Sequence, residues 1–175
     1  MRKSLFFIFT AALFIIEQGI KLVINQNYLE ANDAIIDNFL YFNPMFNRDY
    51  SWINSLFQLG VSKWLHVVMV LVIVIFVFLV YQFIDHKGYN TKTVSTAFAF
   101  LLAGGSCSLI DKLFWNGSLD YIYLQGQFTF DLKDVYINVF IGLVVLMFIF
   151  DHQGIRKNEG DTFLKDFKTY LLRRE

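Results

Sequence analysis

The stretch Gly104–Asp134, GGSCSLIDKLFWNGSLDYIYLQGQFTFDLKD, decides how the rest of the chain is interpreted. It leaves an apolar segment that carries Asp111, passes through a short polar span that holds Asp120, and enters a second apolar segment at Asp134. Ionised side chains at the edge of hydrocarbon are costly unless they are paired or face a wet cavity. Three carboxylates at the ends of two apolar segments therefore indicate a functional site.

The composition outside this stretch favours an integral membrane protein. The chain has 175 residues, of which 56% are hydrophobic and 19% aromatic, and its mean hydropathy is +0.47. An ordinary soluble domain of this size is less apolar. The formal net charge of zero gives no reason to expect nucleic acid as a partner, and we expect membrane lipids instead. A single cysteine, Cys107, excludes an internal disulfide framework.

Four segments are long and apolar enough to cross a bilayer, which takes about 20 residues per helix. They comprise residues 5–24, 66–84, 94–114 and 135–150. The first is predicted to be a retained helix rather than a cleaved signal peptide, because Glu17 and Lys21 stand where a small-residue cleavage site would be. The predicted fold class is an all-α integral membrane protein with four transmembrane helices, and residues 1–175 are predicted to form a single domain.

Basic residues set the orientation of these spans. Ten of the fifteen Lys and Arg residues fall before the first span, between the second and third, or after the fourth: Arg2, Lys3, Lys87, Lys92, Arg156, Lys157, Lys165, Lys168, Arg173 and Arg174. Cytoplasmic loops carry an excess of Lys and Arg. Both termini and the tail 151–175 are therefore predicted to be cytoplasmic, and loops 25–65 and 115–134 to lie on the outer side.

The outer loops are predicted to form a small cradle of strands and loops with a short interfacial helix. Loop 25–65 has the aromatic density typical of a membrane interface. Within it, Trp52, Leu56 and Leu59 recur near helical spacing, so residues 52–59 are predicted to form the short helix. Residues 37–46 favour a strand that ends at a turn at Asn43-Pro44, and residues 121–130 favour a hairpin. The tail is expected to form a surface helix with four apolar residues on one side, Phe163, Phe167, Tyr170 and Leu171.

Charged residues within the spans converge on the outer boundary. Glu17 and Lys21 are one helical turn apart, at the spacing that allows an ion pair, toward the outer end of the first span. Asp111 and Lys112 lie near the outer end of the third span, and Asp134 begins the fourth. Intramembrane charges are functional candidates by default, so this convergence predicts a site at that boundary.

Each of these residues also has a simpler structural interpretation. Asp134 is placed as an ordinary helix N-cap, and Asp120 as a solvated loop residue. Glu17 with Lys21 forms a structural pair between helices, and residues 104–108 form a small-residue stripe for close packing. The three histidines, His66, His86 and His152, lack metal-ligand spacing, so neither a metal nor another cofactor is expected.

The order and spacing of the motifs resemble the lipoprotein signal peptidase family, also called type II signal peptidases, which are four-helix bacterial membrane aspartyl proteases. The likeness covers nearly the whole chain. In the first half, Glu17-Gln18-x-x-Lys21 is similar to D-Q-x-x-K, and Asn47 to the Asn of N-x-G-x-x-F. In the second half, residues 104–112 resemble G-x-x-x-N-x-x-D-R, residues 119–121 resemble V-D-F, and residues 130–134 resemble F-N-x-A-D.

This resemblance implies that Asp120 and Asp134 are the catalytic pair. It implies supporting or substrate-binding roles for seven further residues: Glu17, Lys21, Asn47, Ser108, Asp111, Lys112 and Asp131. The implied substrate is a membrane-anchored prolipoprotein whose cysteine carries a diacylglyceryl group, cleaved just before that cysteine. The implied location is the bacterial cytoplasmic membrane, with the active site on the extracytoplasmic face. The sequence leaves the oligomeric state open, with a monomer as the expectation.

The chain departs from the family pattern beside the implied catalytic pair. Ser108 and Asp131 replace Asn, Lys112 replaces Arg, Lys133 replaces Ala, Glu17 replaces Asp, and the small residues after Asn47 are lost. An extra carboxylate at Asp131 would raise the proton affinity of the pair, whereas Lys133 would oppose it, so the side-chain directions decide. An active aspartyl endopeptidase and a non-catalytic relative that binds lipoprotein precursors or another membrane partner both remain open. A transporter is disfavoured, because four short spans without repeats leave little room for a pathway.

Overall fold

The computed structural model describes residues 3–115, 117–150 and 160–172. In chain order these form α1 (Lys3–Asn27), β1 (Asp33–Ile36), β2 (Leu40–Asn47), α2 (Trp52–Phe57), α3 (Lys63–His86), α4 (Lys92–Phe114), β3 (Ser118–Leu124), β4 (Thr129–Phe130), α5 (Leu132–Ile149) and α6 (Gly160–Leu172). Helices α1, α3, α4 and α5 are long and apolar enough to cross a membrane. The predicted four-helix membrane fold with a small β cradle is confirmed.

Three of the spanning helices begin before the predicted apolar segments because polar caps start them. Ser62 caps α3, Thr91 caps α4, and Asp131 caps α5, each with its side-chain oxygen accepting a backbone N–H of the first turn. The first turns of these helices carry Lys63, Lys92 and Lys133. A search for apolar residues stops at such charges, so it places the helix starts too late.

Helix α4 is the most buried of the four spans and packs against α1, α3 and α5. A Cβ at Gly104 would lie 3.0 Å from the backbone oxygen of Lys133, and one at Gly105 would lie 2.9 Å from Val74 Cγ2. The two glycines therefore allow α5 and α3 to approach α4 closely. This agrees with the interpretation of residues 104–108 as a stripe for helix packing.

The end of the bundle opposite the carboxylates is closed by aromatic rings. Phe6 of α1 stacks on Tyr81 of α3 with ring centroids 4.0 Å apart. Phe83 of α3 is surrounded by three rings of α6, from Phe163, Phe167 and Tyr170. The predicted surface helix of the tail is thus present and packs with these aromatic residues inward. The rest of the predicted tail, residues 151–159 and 173–175, lies outside the described residues, as do five residues used for the orientation, Arg2, Arg156, Lys157, Arg173 and Arg174.

The two outer loops meet in one antiparallel sheet of order β1-β2-β3-β4. Strands β2 and β3 pair from Leu40 opposite Leu124 to Asn47 opposite Ser118. Strands β3 and β4 form the predicted hairpin over residues 121–130. The sheet therefore fixes the first outer loop against the second, at the end of the bundle where Asp120 lies.

The prediction of a strand ending at Asn43-Pro44 is wrong. Strand β2 continues to Asn47, with a register shift between Phe42 and Met45 against β3. Pro44 lies in this irregular part of the strand, where its missing N–H removes no regular ladder hydrogen bond. The predicted short helix is present as α2, which begins at Trp52 and ends at Phe57.

Candidate active site

Asp120 and Asp134 lie where the sheet meets the helix bundle. Asp120 is in β3, and Asp134 is in the first turn of α5. One carboxylate oxygen from each, together with one from Asp131, lie within 4.8 Å of one another. The structure therefore brings the two residues of the implied catalytic pair together, although 14 positions separate them in the sequence.

Asp120 is a buried strand residue, and its interpretation as a solvated loop residue is wrong. The residue is 5% exposed, and its Oδ1 accepts a hydrogen bond of 2.7 Å from the Ser118 hydroxyl. Burial raises the pKa of Asp120, while the nearby Lys133 ammonium opposes this rise. The sequence analysis missed Ser118, although residues two apart in a strand point to the same face.

Asp134 is held by the start of its own helix. The N-cap of α5 is Asp131, so the interpretation of Asp134 as the N-cap is wrong by three positions. Asp131 Oδ1 accepts from the Asp134 N–H at 3.2 Å, and Asp134 Oδ2 accepts from the Asp131 N–H at 3.3 Å. This reciprocal capping box orients both carboxylates from within the start of α5.

Lys21 of α1 joins carboxylates of three segments. Its Nζ lies 2.5 Å from Asp111 Oδ2 and 2.6 Å from Asp131 Oδ2. The predicted ion pair with Glu17 is confirmed at 3.2 Å, although its angle is not that of a hydrogen bond. Glu17, Lys21 and Asp111 are fully buried. Since a buried charge needs partners to offset its lost hydration, these contacts hold α1, α4 and the start of α5 together.

Lys133 reaches into the same cluster from α5. Its Nζ contacts Asp131 Oδ2 and lies 3.3 Å from Asp120 Oδ1 and 2.7 Å from the Ser118 hydroxyl. Burial would raise the pKa of Asp131, but the ammonium groups of Lys133 and Lys21 outweigh it and lower that pKa to about 2. The sequence analysis named Lys133 only as a departure from the family, without predicting a place for it in the site.

Asp111 and Lys112 are adjacent in α4 but point to different surroundings. Asp111 Oδ1 accepts from Gln18 Nε2 at 3.1 Å, and Gln18 Oε1 accepts from Trp115 Nε1 at 3.0 Å. Lys112 points to the cavity beside the carboxylates and donates to Ser108 Oγ at 2.9 Å. Asp111 therefore belongs to the buried ion-pair cluster, whereas Lys112 and Ser108 can contact a ligand.

A cavity of about 690 Å³ opens beside the two aspartates. Its lining includes five residues that the sequence analysis singled out: Asn47, Ser108, Lys112, Asp120 and Asp134. The sheet and the adjoining loops add aromatic walls from Tyr50, Phe128 and Phe130. A cavity of this size with apolar walls and a few converging polar groups is typical of a ligand site. The sequence does not predict which aromatic residues line the cavity, because the outer loops contain many more of them.

The spacing of Asp120, Asp131 and Asp134 would also suit a cation with carboxylate ligands. In this chain, however, the Lys133 ammonium contacts two of the three carboxylates. Positive charge is thus supplied to the cluster by a side chain. We assign no metal to these residues.

Comparison with known proteins decides the family. The signal peptidase (SPase) II family matches residues 9–150, which is most of the chain. The chain belongs to the signal peptidase II family. Within this family, the recognised relatives include the lipoprotein signal peptidases of two Campylobacter jejuni subsp. jejuni strains, 81-176 and 81116. Each is 31% identical over 91 residues, which are 50% of this chain and 54% of the relative. The match to these curated relatives therefore spans about half of their length.

Solved structures share the fold of this signal peptidase II family member. Two bacterial membrane enzyme structures determined by the in meso method, at 2.3 Å and 1.9 Å resolution, superpose with TM-scores of 0.69 and 0.68. The first covers 91% of this chain and 96% of its own, and the second 85% and 94%. At 17% and 16% identity, these likenesses concern the fold alone.

Proposed function

We propose that this signal peptidase II family member is a membrane aspartyl endopeptidase in which Asp120 and Asp134 form the catalytic pair. The proposal is carried by the meeting of their carboxylate oxygens within 4.8 Å beside the cavity. Two carboxylates this close do not both ionise easily, so they share a proton. The ionised member takes a proton from the attacking water, and the protonated member polarises the scissile carbonyl.

The charge of the surroundings supports a shared proton. Five carboxylates belong to the cluster: Glu17, Asp111, Asp120, Asp131 and Asp134. Three described lysines lie among or beside them: Lys21, Lys112 and Lys133. Excess negative charge in a poorly hydrated environment is costly. A proton retained by the aspartate pair lowers that excess by one unit.

The proposed substrate is a prolipoprotein with a diacylglyceryl-modified cysteine, cleaved just before that cysteine. The family and the names of the Campylobacter relatives support this substrate. The exposed side chains of α1, α3 and α5 are largely apolar, so a signal helix and acyl chains can lie beside them in the bilayer. The distribution of Lys and Arg supports a site on the extracytoplasmic face of the bacterial cytoplasmic membrane.

A second function has one observation in its favour. Lys133 Nζ lies 3.3 Å from Asp120 Oδ1, a contact that the family pattern, with Ala at this position, would not provide. If this ion pair prevented the aspartates from sharing a proton, the chain would bind lipoprotein precursors without cleaving them.

The two functions are separated by assaying the purified protein in lipid with a synthetic lipidated prolipoprotein peptide. We expect wild type to cleave, and Asp120→Asn and Asp134→Asn each to lower the rate about 10²- to 10⁴-fold. Asp33→Asn, at an exposed carboxylate in β1, is the control and should cleave like wild type. Wild-type rates in either site variant would contradict the proposed mechanism. Binding of the peptide without cleavage by wild type would favour the second function.

A further inference from the structure

We infer that Lys133 is a positioning residue that keeps Asp120 ionised, so that Asp120 is the general base and Asp134 the general acid of the pair. This inference rests on the proposed aspartyl endopeptidase and goes beyond it, because a symmetrical pair does not say which member carries the proton. It also gives a function to a residue at which this chain departs from the family pattern.

The position of Lys133 is fixed from both ends. Its backbone oxygen lies close to Gly104, where an added Cβ would be only 3.0 Å away, so the start of α5 packs closely on α4. Its Nζ contacts Asp131 and donates to the Ser118 hydroxyl at 2.7 Å. With 6% of the residue exposed, the ammonium has little water to replace these partners. The charge therefore stays beside Asp120.

Among the described residues, the side-chain donors that reach Asp120 use one of its oxygens. Both Ser118 Oγ and Lys133 Nζ approach Oδ1, at 2.7 Å and 3.3 Å. Neither donor uses Oδ2. The Oδ2 atom of Asp120 is therefore left to accept the proton of the attacking water. Hydrogen bonds and an opposite charge favour the ionised form of a carboxylate. Asp120 thus has the surroundings of a base.

Asp134 has different surroundings. Its Oδ2 accepts the backbone N–H of Asp131, which is a neutral donor. Among the described residues, a Lys or Arg nitrogen lies within 4.0 Å of an oxygen of Asp120 but not of Asp134. The ammonium therefore acts unequally on the two members, and the shared proton is favoured on Asp134.

The other charges facing the pair do not cancel the stronger effect of the Lys133 ammonium on Asp120 than on Asp134. Lys21 of α1 lies against Glu17, Asp111 and Asp131, and Lys112 of α4 donates to Ser108. The negative charges of Asp111 and Asp131 are met by Lys21, and Lys133 lies near both as well. Of these lysines, only Lys133 lies within ion-pair distance of Asp120. Burial raises the pKa of Asp120 and Lys133 acts against that rise, which agrees with the assigned role.

The test is the pH profile of kcat/KM for wild type, Lys133→Met and Lys133→Arg. Removing an opposite charge at this range raises the pKa of a carboxylate by roughly 1–3 units. Since the base must be ionised to act, we expect the acid limb of the Met variant to move up by about one pH unit or more. The acid limb of the Arg variant, which keeps the positive charge, should lie near that of wild type. An unmoved limb in the Met variant, even with a lower rate at all pH values, would overturn the inference.

Two further variants control for folding. In Lys133→Met, Asp131 keeps Lys21 as a partner at 2.6 Å, so the N-cap of α5 is not left as an unpaired charge. The double variant Asp131→Asn with Lys133→Ala introduces the family residues at both positions and should show a smaller upward shift of the acid limb, because the loss of the Asp131 carboxylate partly offsets the loss of the Lys133 ammonium. Lys87→Met removes a lysine from an ion pair with Asp166 at the far end of the bundle and should leave the limb unchanged.

A second readout does not need cleavage. In protein labelled with ¹³C at the aspartate carboxyl groups, the Asp120 resonance is assigned by its loss in Asp120→Asn and then followed with pH. We expect its titration midpoint to be higher in Lys133→Met than in wild type. Failure of wild type to cleave would refute the proposed enzyme, whereas equal midpoints in the two proteins would refute the role of Lys133.

Discussion

At the scale of single residues, Gly117 shows how closely the two outer loops approach each other. Its φ is 132°, and a Cβ there would lie 2.7 Å from the backbone oxygen of Asn47. Both the backbone conformation and the contact exclude a side chain. We expect Gly117→Ala to lower the free energy of unfolding by about 1–3 kcal/mol, measured by thermal or denaturant unfolding in detergent.

Gly126→Ala is the matched control for this substitution. Gly126 also has a positive φ, of 74°, but a Cβ there would meet nothing within 4 Å. This variant bears the conformational cost alone, about 1 kcal/mol. Equal losses in both variants would show that the contact with Asn47 is not tight.

The sequence predicted the members of the site better than their arrangement. Asp120 and Asp134 were identified by motif spacing, and Glu17 with Lys21 by the period of a helix. The directions of Asp131 and Lys133 depend on where α5 begins, and a cap is visible in a sequence only once the helix start is known. Strand spacing places Ser118 beside Asp120, but the contact of Ser118 with Lys133 depends on where β3 meets the start of α5, which local spacing does not show.

At the scale of elements, Tyr121 connects β3 with two helices. Its hydroxyl donates to Glu17 Oε2 of α1 at 2.9 Å and accepts from the Leu132 N–H at the start of α5, at 3.2 Å. Burial and the Glu17 carboxylate raise the pKa of Tyr121, so the hydroxyl remains a donor. We expect Tyr121→Phe to lower the free energy of unfolding by about 1–3 kcal/mol, because two buried polar groups lose a partner.

Tyr123→Phe is a control on the same strand. Within the described part of the chain, the Tyr123 hydroxyl accepts a hydrogen bond from the exposed Gly126 N–H alone, at 2.9 Å, and water can replace it there. A change within about 0.5 kcal/mol is expected. If thermal unfolding shows no difference between Tyr121→Phe and wild type, the connection among α1, β3 and α5 contributes nothing to stability.

Elements were predictable where the signal is local. Long apolar runs identified the four spans, and the alternation around Gly126 identified the β3–β4 hairpin. The course of β2 through Pro44 was not predictable, since its pairing partner β3 lies more than 70 positions later in the chain. A proline normally ends a strand, and only the register with β3 shows why this one continues.

At the scale of the whole molecule, the proposed orientation in the membrane can be tested with one cysteine at a time. Native Cys107 is fully buried and should not react with reagents in water. We expect a membrane-impermeant maleimide to label Gly126→Cys in intact cells and to label Gly88→Cys only after the membrane is opened. The physical reason is the excess of Lys and Arg at the end that contains Gly88.

The two positions form a matched pair. Gly88 and Gly126 lie in turns at opposite ends of the bundle, with φ of 77° and 74°, and a Cβ at either would meet nothing within 4 Å. Both variants therefore bear a similar folding cost. Labelling of Gly88→Cys in intact cells, with protection of Gly126→Cys, would reverse the orientation and place the carboxylates on the cytoplasmic side.

The buried cluster at the end of the bundle has a consequence for synthesis of the protein. Lys21 is made with the first span and Asp111 with the third, but Lys133 and Asp134 belong to the last. A nascent chain arrested before α5 has acidic groups at the membrane boundary without Lys133 to neutralise them and without Asp134, the second carboxylate of the proposed pair. Under the proposed mechanism, proteolytic competence is therefore acquired in one step, when the final span has been inserted, and incomplete chains in the membrane cannot cleave their neighbours.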